Sequence, residues 1–215
     1  MKEKMMDGIL KVAGKLQTNK YMSVIRNTFT ALLPVIVGGA FFTLVLNVVL
    51  STETAGVSVA KLPGMAWLET LTPMFKAANF ATMSFMAIGM VIILSTELGR
   101  SNGRTETIVP VVGLSSYITL ITTTILAEAP SGETVEVVNA ISSQFTDARA
   151  LFLGMFAAIL SVEMYSRIVN SGKLDIKMPD SVPSNVSGSF RTVFPAIITI
   201  MLMAGIGQLF EAIFG

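Results

Sequence analysis

The sequence predicts an all-α polytopic membrane protein with about five transmembrane helices and short amphipathic surface helices. Of the 215 residues, 52% are hydrophobic and only 13% are charged, whereas an ordinary soluble domain has about 25% charged residues. The mean hydropathy is +0.70. A soluble protein of this size needs a larger polar shell, and a disordered chain is poor in apolar residues. A net charge of +1 also lacks the electrostatic footprint of a nucleic-acid binder.

Five stretches are apolar enough, and about long enough, for a helix of about 20 residues to cross the bilayer. They cover residues 27–50, 77–98, 107–127, 150–170 and 192–214. Ser, Thr and Gly along the second and third stretches are typical of membrane helices that pack closely on one another. Because no long linker separates the spans, residues 1–215 are predicted to form a single membrane domain, with spans one to four in residues 27–171.

Residues 1–26 are predicted to form an amphipathic cytoplasmic leader. Apolar side chains alternate with lysines at roughly helical spacing. The residues concerned are Met6, Ile9, Leu10, Val12, Ala13 and Leu16, with Lys4, Lys11 and Lys15. Such a helix can lie on the inner leaflet, or it can pack on the rest of the protein as an ordinary solvated helix. The sequence leaves both interpretations open.

The distribution of basic residues predicts the orientation in the membrane. Twelve of the fifteen lie in the leader and in the loops that follow spans two and four, whereas Lys61, Lys76 and Arg149 lie on the other side. Basic residues accumulate in cytoplasmic loops. The N-terminus is therefore expected in the cytoplasm and the C-terminus on the far side. A short interfacial helix is also predicted near residues 65–71, which include Trp67.

The chain has no cysteine and no histidine. These absences exclude a disulfide framework, a Cys/His zinc site, a thiolate nucleophile and a Ser-His-Asp triad. We therefore expect no metal, no cofactor and no catalytic residue in this chain. Any phosphoryl-carrier step that needs a His or a Cys must take place on another polypeptide.

One acidic residue, Glu163, lies within the fourth span, and Arg167 follows four residues later. This spacing places both side chains on one helix face in the favourable order. One interpretation is a structural ion pair in which Arg167 reaches towards the interface. The other is a pair that lines a polar cavity, because charges inside spans are expensive and often functional.

Residues 172–191 form a polar connector before the fifth span. Its prolines favour a turn, and Asn185, Ser187 and Ser189 precede the next apolar run. The pattern predicts a turn and then a short capped helix at the membrane surface. Asn and Ser side chains suit the recognition of sugar hydroxyls, but they also cap helices, and composition alone favours capping.

A resemblance to a known family lies in this connector, in the segment MPDSVPSNVSGSF at 178–190, followed by FPA at 194–196. It resembles a signature of enzyme IIC (EIIC), the membrane permease component of the sugar phosphotransferase system (PTS), in the lactose/cellobiose/diacetylchitobiose branch. Similar matches are RNTFTALLPVIVGGAFF at 26–42, LSTELGRS at 94–101 and RIVNSGKLDIKMPD at 167–180. Ser184 and Gly188 depart from the pattern, since members often have a proline and a basic residue there.

The resemblance implies that the chain corresponds to the N-terminal scaffold half of an EIIC, because members are about twice as long. In the family this half provides the dimerisation scaffold, and the C-terminal half provides most sugar contacts. A complete EIIC takes up a β-linked disaccharide such as cellobiose, lactose or diacetylchitobiose. Uptake is coupled to phosphorylation by a separate IIB subunit, to which IIA and the general phosphocarriers supply the phosphoryl group.

The partners that the resemblance implies are the IIA and IIB subunits, the disaccharide, the lipid bilayer of the bacterial plasma membrane and a second copy in a homodimer. A separately encoded C-terminal half is a further possible partner. By motif position, Asn185 is the candidate sugar contact, and Ser184, Ser187 and Ser189 are further candidates. The alternative function is a non-transporting scaffold or dimerisation half. An intramembrane enzyme is discounted, because a lone Glu163 offers little acid–base machinery.

Overall fold

The computed structural model describes residues 19–53, 57–129, 132–174 and 184–214. Within them lie the helices α1 (Lys20–Leu44), α2 (Thr72–Met83), α3 (Met86–Ser101), α4 (Ile108–Ile118), α5 (Leu151–Asn170) and α6 (Ser184–Phe214), and the strands β1 (Thr124–Glu128) and β2 (Thr134–Val138). The chain divides into two compact units. The first unit comprises Met1–Ala31, Met90–Thr122 and Phe152–Gly215, and the second comprises Leu32–Gly89 and Thr123–Leu151.

Three helical stretches are long and apolar enough to cross a membrane among the residues that the structure describes: Lys20–Leu50, Ala148–Asn170 and Phe190–Ile213. A fourth is possible if the pair Ala66–Met83 and Met86–Ser101, bent by 42°, counts as one span. These helices correspond to the predicted spans one, four, five and two. The predicted class of a helical membrane protein is therefore confirmed.

The first predicted span is helical throughout, but the helix begins earlier than the sequence predicts. The side chain of Asn19 accepts hydrogen bonds from the backbone amides of Tyr21 (2.9 Å) and Met22 (3.4 Å), which is the usual action of an N-cap residue. Helix α1 then runs on from Leu44 into a π-helical segment, Val45–Leu50. The last residues of the predicted leader thus belong to this helix, whereas residues 1–18 lie outside the described part of the chain.

The third predicted span is shorter in the structure. Helix α4 has 11 residues and rises about 16 Å, against an apolar thickness of about 30 Å. The chain then forms the antiparallel hairpin β1–β2, in which Thr124 pairs with Val138 and Glu128 with Thr134. The prediction of one helix over residues 107–127 is therefore wrong beyond residue 118. The physical reason is that Thr, Ile and Val favour strands.

Of the two predicted surface helices, one is present as predicted and the other is part of a longer helix. A short 3-10 helix at Ala66–Leu71 confirms the helix predicted near residues 65–71. Helix α6 begins at Ser184 and continues without a break to Phe214, so the short helix predicted in the connector is the start of the fifth span. Residues 175–183 of the connector lie outside the described residues. A single domain over residues 1–215 stays a prediction.

Small residues bring the helices of the first unit close together. Gly113 on α4 lies so close to Ser95 on α3 that a Cβ atom at position 113 would come within 2.8 Å of the Ser95 Cβ atom. Gly207 on α6 similarly faces the carbonyl oxygen of Thr119. The close approach lets large side chains fill the interior of the unit. Those that are fully buried are Met90, Val91, Leu94, Leu98, Val109, Val112, Tyr117, Val162, Tyr165 and Met203.

The second unit is held partly by a polar contact between two apolar helices. The side-chain amide of Asn79 on α2 donates to the carbonyl oxygen of Gly39 (3.2 Å) and to the Thr43 hydroxyl (2.7 Å) on α1. Phe42 and Phe75 add an edge-to-face ring contact at 6.1 Å. Hydrogen bonds of this kind join helices in membranes, where a lone polar group is costly.

Candidate functional site

A network of polar side chains joins three helices of the first unit. The Lys20 ammonium at the start of α1 lies 2.6 Å from Glu163 Oε1 on α5 and donates to Asn102 Oδ1 at 2.9 Å. The Asn102 amide, just beyond α3, donates to Glu163 Oε1 (3.2 Å) and to the Ser166 hydroxyl (3.1 Å). The carboxylate in the fourth span is thus paired and hydrogen-bonded, which offsets the cost of its burial.

Glu163 therefore has a different direct partner from the one that helical spacing predicts. Its ion pair is with Lys20, and the side chains of the two residues are 17% and 37% exposed. Arg167, one turn further along α5, attracts the carboxylate through space. Lys20 is 143 residues away in the sequence, so local spacing contains no signal for this contact. The arrangement ties the start of α1 to α5.

A cavity of about 470 Å³ lies elsewhere in the first unit, where the loop before α4 faces the start of α6. Its walls come from that loop, from the end of α5 and from α6. The lining residues are Arg104, Glu106, Thr107, Ile108, Val169, Gly188, Arg191 and Thr192.

Two charged side chains on the cavity wall, Arg104 and Glu106, are only partly paired. Arg104 Nη1 lies 3.3 Å from Glu106 Oε1. Arg104 Nε and Glu106 Oε2 are buried, and neither has a hydrogen-bond partner among the described residues. The buried Tyr165 hydroxyl lies close to the Thr192 side chain. Sequence reasoning counted Arg104 and Arg191 only as loop charges and did not consider Glu106. Arg104 and Arg191 are far apart in the sequence, so local spacing does not show that they line the same cavity.

The predicted sugar-contact residues fall at the start of α6. The backbone of Ser184, Asn185, Ser187 and Ser189 forms the first turns of this helix, and their side chains lie outside what the structure describes. Gly188, Arg191 and Thr192, which follow or interleave with them, line the cavity. A sugar contact by Asn185 or by the serines stays a prediction.

Comparison with known proteins decides the family. The sequence model described as "Phosphotransferase system, EIIC" matches residues 26–215, almost the whole chain. The chain belongs to the EIIC family of the phosphotransferase system. The family predicted from the connector and from the first span is therefore confirmed.

Several curated EIIC proteins are similar to this chain over nearly its full length. The oligo-beta-mannoside-specific EIIC component of Bacillus subtilis is 30% identical, over 93% of this chain and 42% of its own length. The lichenan permease IIC component of the same organism is 26% identical, over 95% of this chain and 44% of its own length. The cellobiose-specific EIIC component of Geobacillus stearothermophilus is 26% identical, over 92% and 42%. The chain thus spans less than half the length of these relatives.

One solved structure has the same fold. It is the transporter ChbC, the IIC component from the N,N'-diacetylchitobiose-specific phosphotransferase system, with a TM-score of 0.78 and 24% sequence identity. The match covers 94% of this chain and 46% of that structure. The EIIC fold of the matched part is therefore shared.

Proposed function

We propose that this chain is the N-terminal half of an EIIC permease that takes up a β-linked disaccharide, coupled to phosphorylation by a separate IIB subunit. The observation that carries the proposal is the match of the EIIC family model to residues 26–215. Two similar proteins are named for oligo-beta-mannoside and for cellobiose. Their names favour a β-linked sugar over other substrates.

The chemistry of the chain supports a division of labour between subunits. With no His and no Cys, the chain offers no side chain of the kinds that commonly carry a transferable phosphoryl group. A IIB partner, recharged by IIA, would therefore phosphorylate the sugar at the cytoplasmic side. A phosphorylated sugar is charged, and a pathway that accepts a neutral sugar would no longer release it outward.

The orientation that we propose places the N-terminus in the cytoplasm of a bacterial cell, with the chain in the plasma membrane. Twelve of fifteen basic residues support it. Because the chain lacks cysteine, the labelling of a single introduced thiol shows on which side of the membrane that residue lies. We expect an impermeant thiol reagent to label Lys61→Cys in intact cells and to label Lys2→Cys only after the cells are opened. Labelling of both in intact cells would contradict the orientation.

The proposed sugar contact is Asn185, supported by its position in the EIIC signature and by amide groups that suit hydroxyls. Loss of one hydrogen bond to a neutral sugar costs about 0.5–1.5 kcal/mol, so Asn185→Ala should weaken binding of radiolabelled cellobiose about two- to tenfold. Asn170→Ala, at the end of α5, is the matched control and should bind as the parent protein does. Equal affinity in all three proteins would leave Asn185 with a capping role only.

A second candidate function is a scaffold or dimerisation half that does not transport on its own. It is favoured by the length comparison, since the chain spans 42% of the oligo-beta-mannoside relative. Under this proposal the 215-residue chain gives a dimer in detergent but no sugar uptake, and co-expression with a C-terminal EIIC half restores uptake. Uptake by the 215-residue chain alone would exclude it.

A further inference from the structure

We propose that the side chains of Lys20 and Asn102 become joined by an isopeptide bond, with Glu163 as the catalytic residue. The reaction takes place once within a folded chain and releases one molecule of ammonia. Every group that reacts belongs to this chain, so the proposal is independent of the proposed sugar transport. Protein that has not reacted keeps the ion pair between Lys20 and Glu163.

The nucleophile and the amide that it attacks are in contact. Lys20 Nζ, at the start of α1, lies 2.9 Å from Asn102 Oδ1, just beyond the end of α3. A lysine amine attacks a carbonyl carbon once it has lost its proton, and a turn of the Asn102 amide about its Cβ–Cγ bond presents the face of that carbon to Nζ. Both residues are held within one compact unit, and groups held in this way react far faster than the same groups free in solution.

Glu163 contacts both of the groups that exchange protons in such a reaction. Its Oε1 atom lies 2.6 Å from Lys20 Nζ and 3.2 Å from Asn102 Nδ2. Both distances are within about 2.6–3.2 Å, the reach of a general acid or base. One carboxylate oxygen can therefore take a proton from the amine that attacks and give it to the amide nitrogen that leaves.

The reaction balances with these three side chains alone. Glu163 takes a proton from the Lys20 ammonium, and the neutral amine attacks Asn102 Cγ to form the new C–N bond. Glu163 gives that proton to Nδ2, the Cγ–Nδ2 bond breaks and ammonia leaves. The new amide nitrogen passes its surplus proton through Glu163 to ammonia. The products are a secondary amide, an ionised Glu163 and one ammonium ion, and no atom is oxidised or reduced.

The surroundings of the three side chains limit the access of water, which would compete with the amine. Val24, one turn after Lys20 on α1, and Leu98, one turn before Asn102, are both buried. The Glu163 side chain is only 17% exposed, whereas the Lys20 side chain is 37% exposed, which leaves ammonia a route to solvent. Excluding water from a reacting site suppresses competing hydrolysis.

The test is mass spectrometry of the purified 215-residue chain after overnight incubation in dodecyl maltoside. We expect a species that is lighter than the sequence mass by one ammonia. Trypsin does not cleave after an acylated lysine, so digestion should release a branched peptide in which residues 16–26 are joined to residues 101–104. Recovery of the peptides 16–20, 21–26 and 101–104 without any branched peptide would overturn the proposal.

Loss of ammonia by itself does not identify the bond, because Asn102 precedes Gly103 and an Asn-Gly pair can lose ammonia by closing on its own backbone. Lys20→Arg keeps the positive charge but removes the amine, so it should retain the sequence mass. Lys173→Arg, which changes a lysine outside the network, is the matched control and should yield the branched peptide as the parent protein does. A light species of undiminished amount in Lys20→Arg would assign the loss to the backbone reaction and overturn the proposal.

Glu163→Gln tests the catalytic role, since it keeps the shape of the side chain but cannot take the proton. A positioned acid or base accelerates a reaction about 10²–10⁴-fold, so the branched peptide should form at least about tenfold more slowly. Glu163→Asp retains a carboxylate and should react faster than Glu163→Gln. Glu97→Gln removes the partner of Arg100 outside the network and should leave the rate unchanged. Equal rates in the parent protein and in Glu163→Gln, both eluting as folded protein in size-exclusion chromatography, would refute the role of Glu163.

Discussion

The ion pair between Lys20 and Glu163 gives a sharp energetic prediction. Its two charged atoms lie 2.6 Å apart, and the side chains are 37% and 17% exposed. We expect the pair to stabilise the folded protein by about 1–2 kcal/mol, measured as the coupling energy of a double-mutant cycle. The cycle uses Lys20→Met, which keeps the length of the side chain, and Glu163→Gln, which keeps its shape.

The magnitude follows from the separation and the exposure of the two groups. At 2.6 Å, Coulomb attraction in an effective dielectric of about 20 is about 6 kcal/mol, and the desolvation of both ions consumes most of it. Exposed pairs give about 0.2–1 kcal/mol, and removing one partner of a buried pair costs about 3–5 kcal/mol. A half-buried pair with a second donor, Asn102, falls between these limits.

The assay is unfolding by SDS in mixed micelles, followed by circular dichroism of the parent, the two single variants and the double variant. The chain supplies a matched control in Arg100 and Glu97, whose charged atoms are 3.1 Å apart with side chains 65% and 26% exposed. The double-mutant cycle of Arg100 and Glu97 should give a coupling energy below about 0.5 kcal/mol, as exposed ion pairs on helices do. A coupling energy for Lys20 and Glu163 no larger than that of this control would refute the reasoning.

Two further predictions concern packing and a helix start. Gly113→Ala should destabilise the protein by about 1–3 kcal/mol, because the new Cβ atom would overlap the Ser95 side chain. Gly38→Ala is the control: its new Cβ atom would have no neighbour within 4 Å, so it should be neutral or stabilising in the same SDS titration. Equal losses of stability in the two variants would contradict this prediction. Hydrogen bonds from Arg149 hold the pKa of Asp147 below its ordinary value of 3.8, so ionised Asp147 stabilises the fold above that pH. The melting-temperature difference between the parent protein and Asp147→Asn should stay constant above about pH 5 and shrink as the pH falls below 3.8. A difference that does not change with pH would contradict a stabilising contact between Asp147 and Arg149.

The long apolar helices could be predicted from the sequence, because a span is a local property. About 20 apolar residues in a row have few stable forms in a bilayer other than a helix, and α1, α5 and α6 follow this rule. The segment after α4 did not, because its form depends on pairing with residues beyond it. Strand β1 needs a partner, and Thr124 pairs with Val138, which lies beyond the end of the predicted third span.

The candidate sites show the same division between local and long-range information. The i,i+4 spacing of Glu163 and Arg167 is local and predicts proximity, but the ion pair of Glu163 is with Lys20, which is 143 residues away in the sequence. The cavity likewise brings Arg104 together with Arg191, which no spacing rule relates. The connector motif, in contrast, is a continuous string of residues, and it was enough to predict the family.

The central claim is that the chain belongs to a working sugar permease, and uptake in cells tests it most directly. The measurement compares a strain that lacks the gene with the same strain carrying it, using radiolabelled cellobiose, oligo-β-mannoside, lactose and diacetylchitobiose. The account predicts that the gene restores accumulation of at least one of these sugars in phosphorylated form, and that accumulation stops when IIB is removed. Unchanged uptake of all four sugars in the two strains would contradict it.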